Sequence, residues 1–207
     1  MHTTPAILAL SLLEAVQNID TPPDDGLGAL EYELASKRLG LSATVAAQVA
    51  RYRERADAGG DLPEDEALAV FRLVGRRPDA ALVYSDAGRR AARYAARREG
   101  SGSRALRTLL PGKLAVRARL RTAGRLARRW LLIELRADGA ALARAEATDS
   151  LGLRGREDGQ GCQFYTAALA ELLRLVVGFE GVVTHESCRG RGDRSCRWLA
   201  AKGEGYE

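Results

Sequence analysis

Apolar side chains recur at helical spacing through the first half of the chain. Ile7, Leu8 and Leu12 fall on one stripe, and Val16 extends it by another turn. A stripe that repeats every three to four residues is typical of a helix with one buried face. Together with N-cap residues such as Ser42, this spacing predicts five helices, over residues 5–18, 42–58, 64–73, 86–98 and 113–128.

The stretches between these helices contain helix-breaking residues. Two prolines and a glycine occur within residues 22–26, and residues 100–103 alternate glycine with serine. We interpret both stretches as loops, because proline and glycine interrupt helices. Ser85 and Asp86 are alternative N-caps for the helix that ends near Arg98.

The second half of the chain changes to the alternating pattern of strands. Residues 130–136 and 140–146 flank Asp138 and Gly139, and this dipeptide between two such runs predicts a hairpin with a two-residue turn. A helix over 162–177 follows, and then two short strands over 181–185 and 195–200. The chain is therefore predicted to be α+β, with a four-stranded antiparallel sheet packed against helices and a helical N-terminal half.

Composition is consistent with this architecture and with a cytoplasmic protein. Hydrophobic residues make up 46% of the 207-residue chain, which is enough for a buried core. No apolar run reaches the roughly 18–20 residues needed to cross a bilayer, so no transmembrane segment is expected. The apolar stretch at residues 5–16 lacks a basic leader, so we expect no secretory signal.

The positive charge is concentrated in the middle of the chain. Residues 75–129 carry 16 basic and 3 acidic groups, and almost all of the basic groups are arginines. Such a segment indicates an anionic partner, a solvated basic face, or pairing with the acidic first third. The only aromatic residues among these arginines and directly after them are Tyr84, Tyr94 and Trp130, so we expect no sequence-specific nucleic-acid partner.

The three cysteines lie close together in sequence, near the C-terminus. They are Cys162, Cys188 and Cys196, and one histidine, His185, lies three residues before Cys188. Zinc is bound in a tetrahedron by thiolates and imidazoles, so these four residues are a candidate zinc site with a structural role. The alternative is that the cysteines are buried as small apolar side chains and His185 is paired locally.

Two segments resemble the signature of the 4-vinyl-reductase domain family. They are the helix at 162–177 and the Cys-Gly-Cys-aromatic pattern at 186–198, while residues 109–114 are similar to the bacteriochlorophyll 4-vinyl reductase branch. The resemblance covers roughly residues 80–200. It implies a fold related to TRAPP subunits and to phenol-sensing domains, in which three cysteines and a glutamate bind zinc beside a hydrophobic pocket. On this basis we predict a ligand-binding domain at 76–207 and a helical extension at 1–75 that packs on it.

The sequence departs from the family pattern at one metal ligand. The family's glutamate lies three residues before the middle cysteine, where this chain has His185, with Glu186 next to it. Histidine is a competent zinc ligand. Adjacent strand residues point to opposite faces, so only one of the two is expected to bind the metal, and the sequence leaves open which one.

The resemblance implies that the protein takes part in bacteriochlorophyll biosynthesis, in photosynthesis. A reductase needs an electron source, and the chain has neither a dinucleotide-binding glycine motif nor spare cysteines for an iron–sulfur cluster. We therefore favour a tetrapyrrole-binding carrier or accessory protein. The alternatives are a vinyl reductase for divinyl chlorophyllide with a separate donor, and a sensor of small aromatic ligands. The sequence leaves open whether the chain is an enzyme and whether it forms a homodimer.

Small residues on the second strand form a candidate ligand-binding face. Ala141, Ala143 and Ala145 alternate along it. Close helix packing is one reading of this face, and room for a flat hydrophobic molecule is the other. With Trp130 and Phe164, these alanines are the candidate ligand-binding residues.

Overall fold

A computed structural model describes residues 2–21, 42–99, 112–139 and 141–202. The predicted breaker at 22–26 and the predicted loop at 100–103 lie outside the described residues. Within the described residues, the helices are α1 (Ala6–Asp20), α2 (Ala43–Asp57), α3 (Glu64–Gly75), α4 (Ala80–Arg97), α5 (Gly112–Leu126), α6 (Leu151–Gly155) and α7 (Cys162–Val177).

The helix predictions are confirmed, with one clear difference in length. The Ser42 hydroxyl accepts a hydrogen bond from the backbone amide of Val45 and caps α2 as expected. Helix α4 begins at Ala80, several residues before the predicted caps. One of the two predicted caps, Asp86, instead pairs with Arg90 one turn later along the helix surface, at 2.8 Å. Buried Val83 and Tyr84 continue the apolar face and carry the helix back to Ala80.

The antiparallel sheet is confirmed. Its strands are β3 (Glu134–Ala137), β4 (Ala143–Ala147), β5 (Gly181–Ser187) and β6 (Cys196–Lys202), in the order β3-β4-β6-β5. A second, two-stranded ladder that the sequence did not predict joins β1 (Thr3–Pro5) to β2 (Asp61–Pro63). The chain is thus α+β, with two hairpins joined through α6 and α7.

The first hairpin differs from its prediction at both ends. Trp130 lies in a π-helical segment, Ala127–Leu131, that continues α5, and the strand begins only at Glu134. Asp138 and Gly139 do not form a two-residue turn, because β3 ends at Ala137 and pairs with Ala143. The Asp138 carboxylate accepts a hydrogen bond from the amide of Ala141, which stabilises a wider loop.

The helices form one hydrophobic core with the inner face of the sheet. Helix α1 is almost entirely buried and packs against α2, α3 and α4, while α4 packs along α7. Buried Glu171 of α7 pairs with Arg93 of α4 and with Arg174, and these guanidinium groups lower its pKa to about 2. Among the described residues, no helix is both long enough and apolar enough to span a lipid bilayer.

Candidate metal centre

Three different elements bring the cysteine and histidine side chains together. Cys162 is the first residue of α7, and His185 lies near the end of β5. Cys188 follows β5 directly, and Cys196 is the first residue of β6. The site therefore lies where the start of a helix meets the loop end of the β5–β6 hairpin.

A β-bulge at Glu186 places His185 and Cys188 on the same side of the sheet. His185 pairs with Trp198 and Ser187 pairs with Arg197, so Glu186 is an extra residue in β5. In a regular strand, residues three apart point to opposite faces. The extra residue shifts the alternation by one position, so Cys188 points to the same face of the sheet as His185.

The four candidate donors are mutually close. The three cysteine sulfurs and a ring nitrogen of His185 all lie within 4.8 Å of one another. The Sγ of Cys162 lies 3.6 Å from that of Cys196 and 3.9 Å from that of Cys188, and the last two sulfurs are 4.0 Å apart. All three cysteines are buried and unbridged, and His185 is half-buried.

Close contact between the thiols shifts the pKa values of Cys196 and Cys162 in opposite directions. Cys196 accepts hydrogen bonds from the Cys162 thiol and from the backbone amide of Arg189, which hold its pKa below the ordinary value. The pKa of Cys162 is raised, because its proton is held in the hydrogen bond to Cys196 and because the site is buried. A bound divalent cation would reverse this for Cys162, since metal coordination favours the thiolate form.

The surroundings fit a metal ion better than a cluster of small apolar side chains. The Nε2 atom of His185 is buried and has no hydrogen-bond partner among the described residues. The imidazole stacks on Trp198, with ring centroids 4.9 Å apart and an interplanar angle of 13°. A half-buried histidine that has a buried nitrogen without a partner and a ring nitrogen within 4.8 Å of three thiols is suited to bind a cation.

Four residues outside the cluster hold the donors in place. Trp198, which orients His185, donates from its indole nitrogen to Thr166 Oγ1 of α7 at 2.9 Å. The Asp193 carboxylate accepts a 2.7 Å hydrogen bond from the Cys188 amide. Gly159 adopts φ +81°, and a Cβ there would lie 2.6 Å from the Cys188 sulfur. Of these supporting residues, only Trp198 had a signal in the sequence, as the aromatic residue two positions after Cys196.

The alternative fourth ligand lies away from the cluster. Glu186 is exposed, whereas His185 joins the three cysteines. The cluster therefore includes the histidine and not the glutamate, because the bulge brings His185 onto the face of Cys188.

The predicted ligand-binding residues have separate surroundings. Ala143 and Ala145 are buried in the core, while Ala141 precedes β4 and is half-buried. Phe164 is buried against Phe71 and Tyr165, at centroid distances of 5.3 and 5.1 Å. Trp130 is half-buried between the guanidinium groups of Arg98 and Arg129.

A cavity of about 450 Å³ lies beside β3 and β4. Charged side chains of the outer sheet face dominate its lining, which consists of Glu134, Arg136, Ala137, Asp138, Arg144, Ala145, Glu146 and Thr148. It offers guanidinium groups to an anionic ligand, although Arg144 also pairs with Asp138 at 3.2 Å.

The fold and the site together define an α+β protein with a buried cluster of three cysteines and one histidine that could hold a metal ion. Comparison of the chain with protein-family models, with curated proteins and with solved structures found no match.

His185→Ala is expected to reduce metal affinity by at least tenfold, because it removes one of the four donors in the cluster. Glu186→Ala is the matched control, and it should leave affinity within about twofold, since that side chain is exposed. A competition titration with a chromophoric chelator measures both. If Glu186→Ala proves the more damaging change, the fourth ligand assigned to the site is wrong.

Proposed function

We propose that the protein is a ligand-binding domain stabilised by one structural zinc ion, and that it serves as a tetrapyrrole carrier or accessory protein in bacteriochlorophyll biosynthesis. The observation that carries the metal part is the convergence of four donor atoms within 4.8 Å. Three thiolates and an imidazole form a soft donor set. Among the common divalent ions, such a set favours zinc.

The number of protein donors supports a structural role. Four protein ligands saturate a tetrahedral zinc ion and leave no position for a substrate, whereas catalytic zinc sites keep one position open. With zinc bound, Cys162 would join α7 to the β5–β6 hairpin through Cys188 and Cys196. The glycine-containing loop between these two cysteines would then be held at both ends.

The tetrapyrrole part of the proposal is supported by the resemblance at residues 162–177 and 186–198. The arrangement of the cysteines agrees with that resemblance, since the three residues that correspond to the family's zinc ligands lie together. The absorption spectrum of the protein purified from a pigment-producing host tests the ligand. A bound tetrapyrrole would give a Soret-region band, and a spectrum without one would contradict the carrier function while leaving the zinc site unaffected.

Ala143→Leu tests whether the small-residue face of β4 meets a ligand. If the face lines a ligand slot, the variant should fold normally and lose pigment binding, because the larger side chain fills the slot. If the face is ordinary core, the variant should instead lose about 1–3 kcal/mol of stability through overpacking. Urea denaturation and pigment absorbance together distinguish the two outcomes, and Thr184→Leu, which adds a leucine at an exposed position of β5, is the control.

A further inference from the structure

Helix α5 carries a row of exposed arginines along one face. Arg117, Arg121 and Arg125 are spaced by four residues, which places them above one another on a helix. Arg128, in the π-helical segment that continues α5, is also exposed. We call these four residues the α5 basic row.

The charge of the α5 basic row is mostly not neutralised within the chain. Over the described ranges, no carboxylate forms an ion pair with Arg117, Arg121 or Arg125, and Arg128 pairs with Glu134 at 3.3 Å while staying largely exposed. The arginines of α4 differ, since Arg90 and Arg93 are paired with carboxylates. Within the described part of the central segment, α5 therefore presents three exposed arginines without an ion pair on one face.

Exposed leucines lie at both ends of the α5 basic row. Leu114, at the start of α5, is 57% exposed, and Leu132, directly after the π-helical segment, is 45% exposed. Leu132 also has φ +60°, and it is the only non-glycine residue with a positive φ among the residues described. Leu132 ends the π-helical segment in this conformation, with its amide donating to the carbonyl of Ala127, and its apolar side chain is left facing solvent.

We propose that α5 is the docking face for a lipid bilayer with anionic headgroups. The α5 basic row would lie along the phosphates, which attract each arginine near the surface. Leu114 and Leu132 would enter the interfacial region on either side, as apolar residues of surface-bound helices do. This interface is separate from the metal centre, and it does not depend on the identity of the small-molecule ligand.

A bilayer fits this face better than a single-stranded nucleic acid does. Proteins that bind single strands stack bases on exposed aromatic rings. The one aromatic side chain of this segment, Trp130, lies between Arg98 and Arg129, with their guanidinium carbons 4.5 and 4.6 Å from the ring centroid. Leu114 and Leu132 are exposed to solvent. Leucine side chains contribute to bilayer insertion but do not stack on bases.

The test is co-sedimentation of the full chain with vesicles of phosphatidylcholine alone or mixed with phosphatidylglycerol. The wild type should bind the mixed vesicles only, and binding should weaken with salt. Replacing Arg117, Arg121 and Arg125 together by Gln should weaken binding about 100-fold, because each basic residue near an anionic surface contributes roughly fivefold. The control replaces Arg55, Arg72 and Arg76, which are exposed elsewhere, and should change binding less than tenfold.

A second variant separates docking from folding. Leu132→Asn removes the apolar side chain and suits the positive φ better, so it should fold at least as stably while binding mixed vesicles several-fold more weakly. Equal weakening by the two triple variants would overturn the proposal, since it would indicate net charge alone. Equal binding to neutral vesicles, or binding to duplex DNA without binding to mixed vesicles, would also overturn it.

Discussion

Removal of the proposed zinc ion with a strong chelator under reducing conditions is expected to lower the melting temperature by about 10 °C. With free zinc at about 1,000 times its dissociation constant, binding to the folded state contributes ~4 kcal/mol of stability. Each kcal/mol moves the melting temperature of a domain of this size by roughly 2–4 °C. Differential scanning fluorimetry with and without chelator, followed by zinc addition, measures the shift and its reversal.

The cysteines of the cluster provide the control for this experiment. Cys196→Ser should melt near the chelated wild type and should not respond to chelator, because the hydroxyl is a poor replacement for a thiolate donor. Zinc affinity of the wild type should also fall at acidic pH, since protonation of the thiols competes with the metal. Protein that was purified without chelator and contains no zinc would refute the site.

Gly88→Ala is expected to destabilise the protein by about 3 kcal/mol, at the upper end of the usual cost of overpacking. A Cβ at this position would lie 2.1 Å from the carbonyl oxygen of Phe164, in the backbone of α7. Neither backbone can move without separating α4 from α7. Alanine favours helices over glycine by about 1 kcal/mol, so the expected loss runs against the intrinsic preference.

Urea denaturation of Gly88→Ala and of Gly139→Ala gives the comparison. Gly139 lies in the loop after β3, and a Cβ there would meet nothing within 4 Å, so this control should change stability by less than about 0.5 kcal/mol. A gain in stability for Gly88→Ala would mean that α4 and α7 lie further apart than the structure has them.

Local sequence patterns predicted the elements well where one signal was decisive. Helix α7 begins and ends where its apolar stripe and the following Gly178 predict, and Gly178 adopts φ +76°. The prediction of a two-residue turn at Asp138 and Gly139 was wrong, because that dipeptide fits loops of several lengths. The hydrogen bond from the Ala141 amide to the Asp138 carboxylate stabilises a wider loop. The first strand is present, but its predicted start at Trp130 was wrong, since apolar runs of that length suit a helix end as well as a strand.

The sequence by itself determined which side chains can bind a metal at this site. Three cysteines, with either His185 or Glu186, are the candidate donors whatever the fold, and the alternation of polar and apolar positions was enough to predict an antiparallel sheet beside helices. It left the choice between His185 and Glu186 open, because neighbouring residues of a strand differ only in the face to which they point.

Only the tertiary structure decided that choice. The bulge at Glu186 depends on how β5 pairs with β6, which is a property of two strands and not of either sequence alone. The approach of Cys162 to Cys196 likewise depends on how α7 packs on the sheet, with Thr166 held by Trp198. Contacts between residues far apart in sequence result from the packing of whole elements, and local patterns carry no information about those distances.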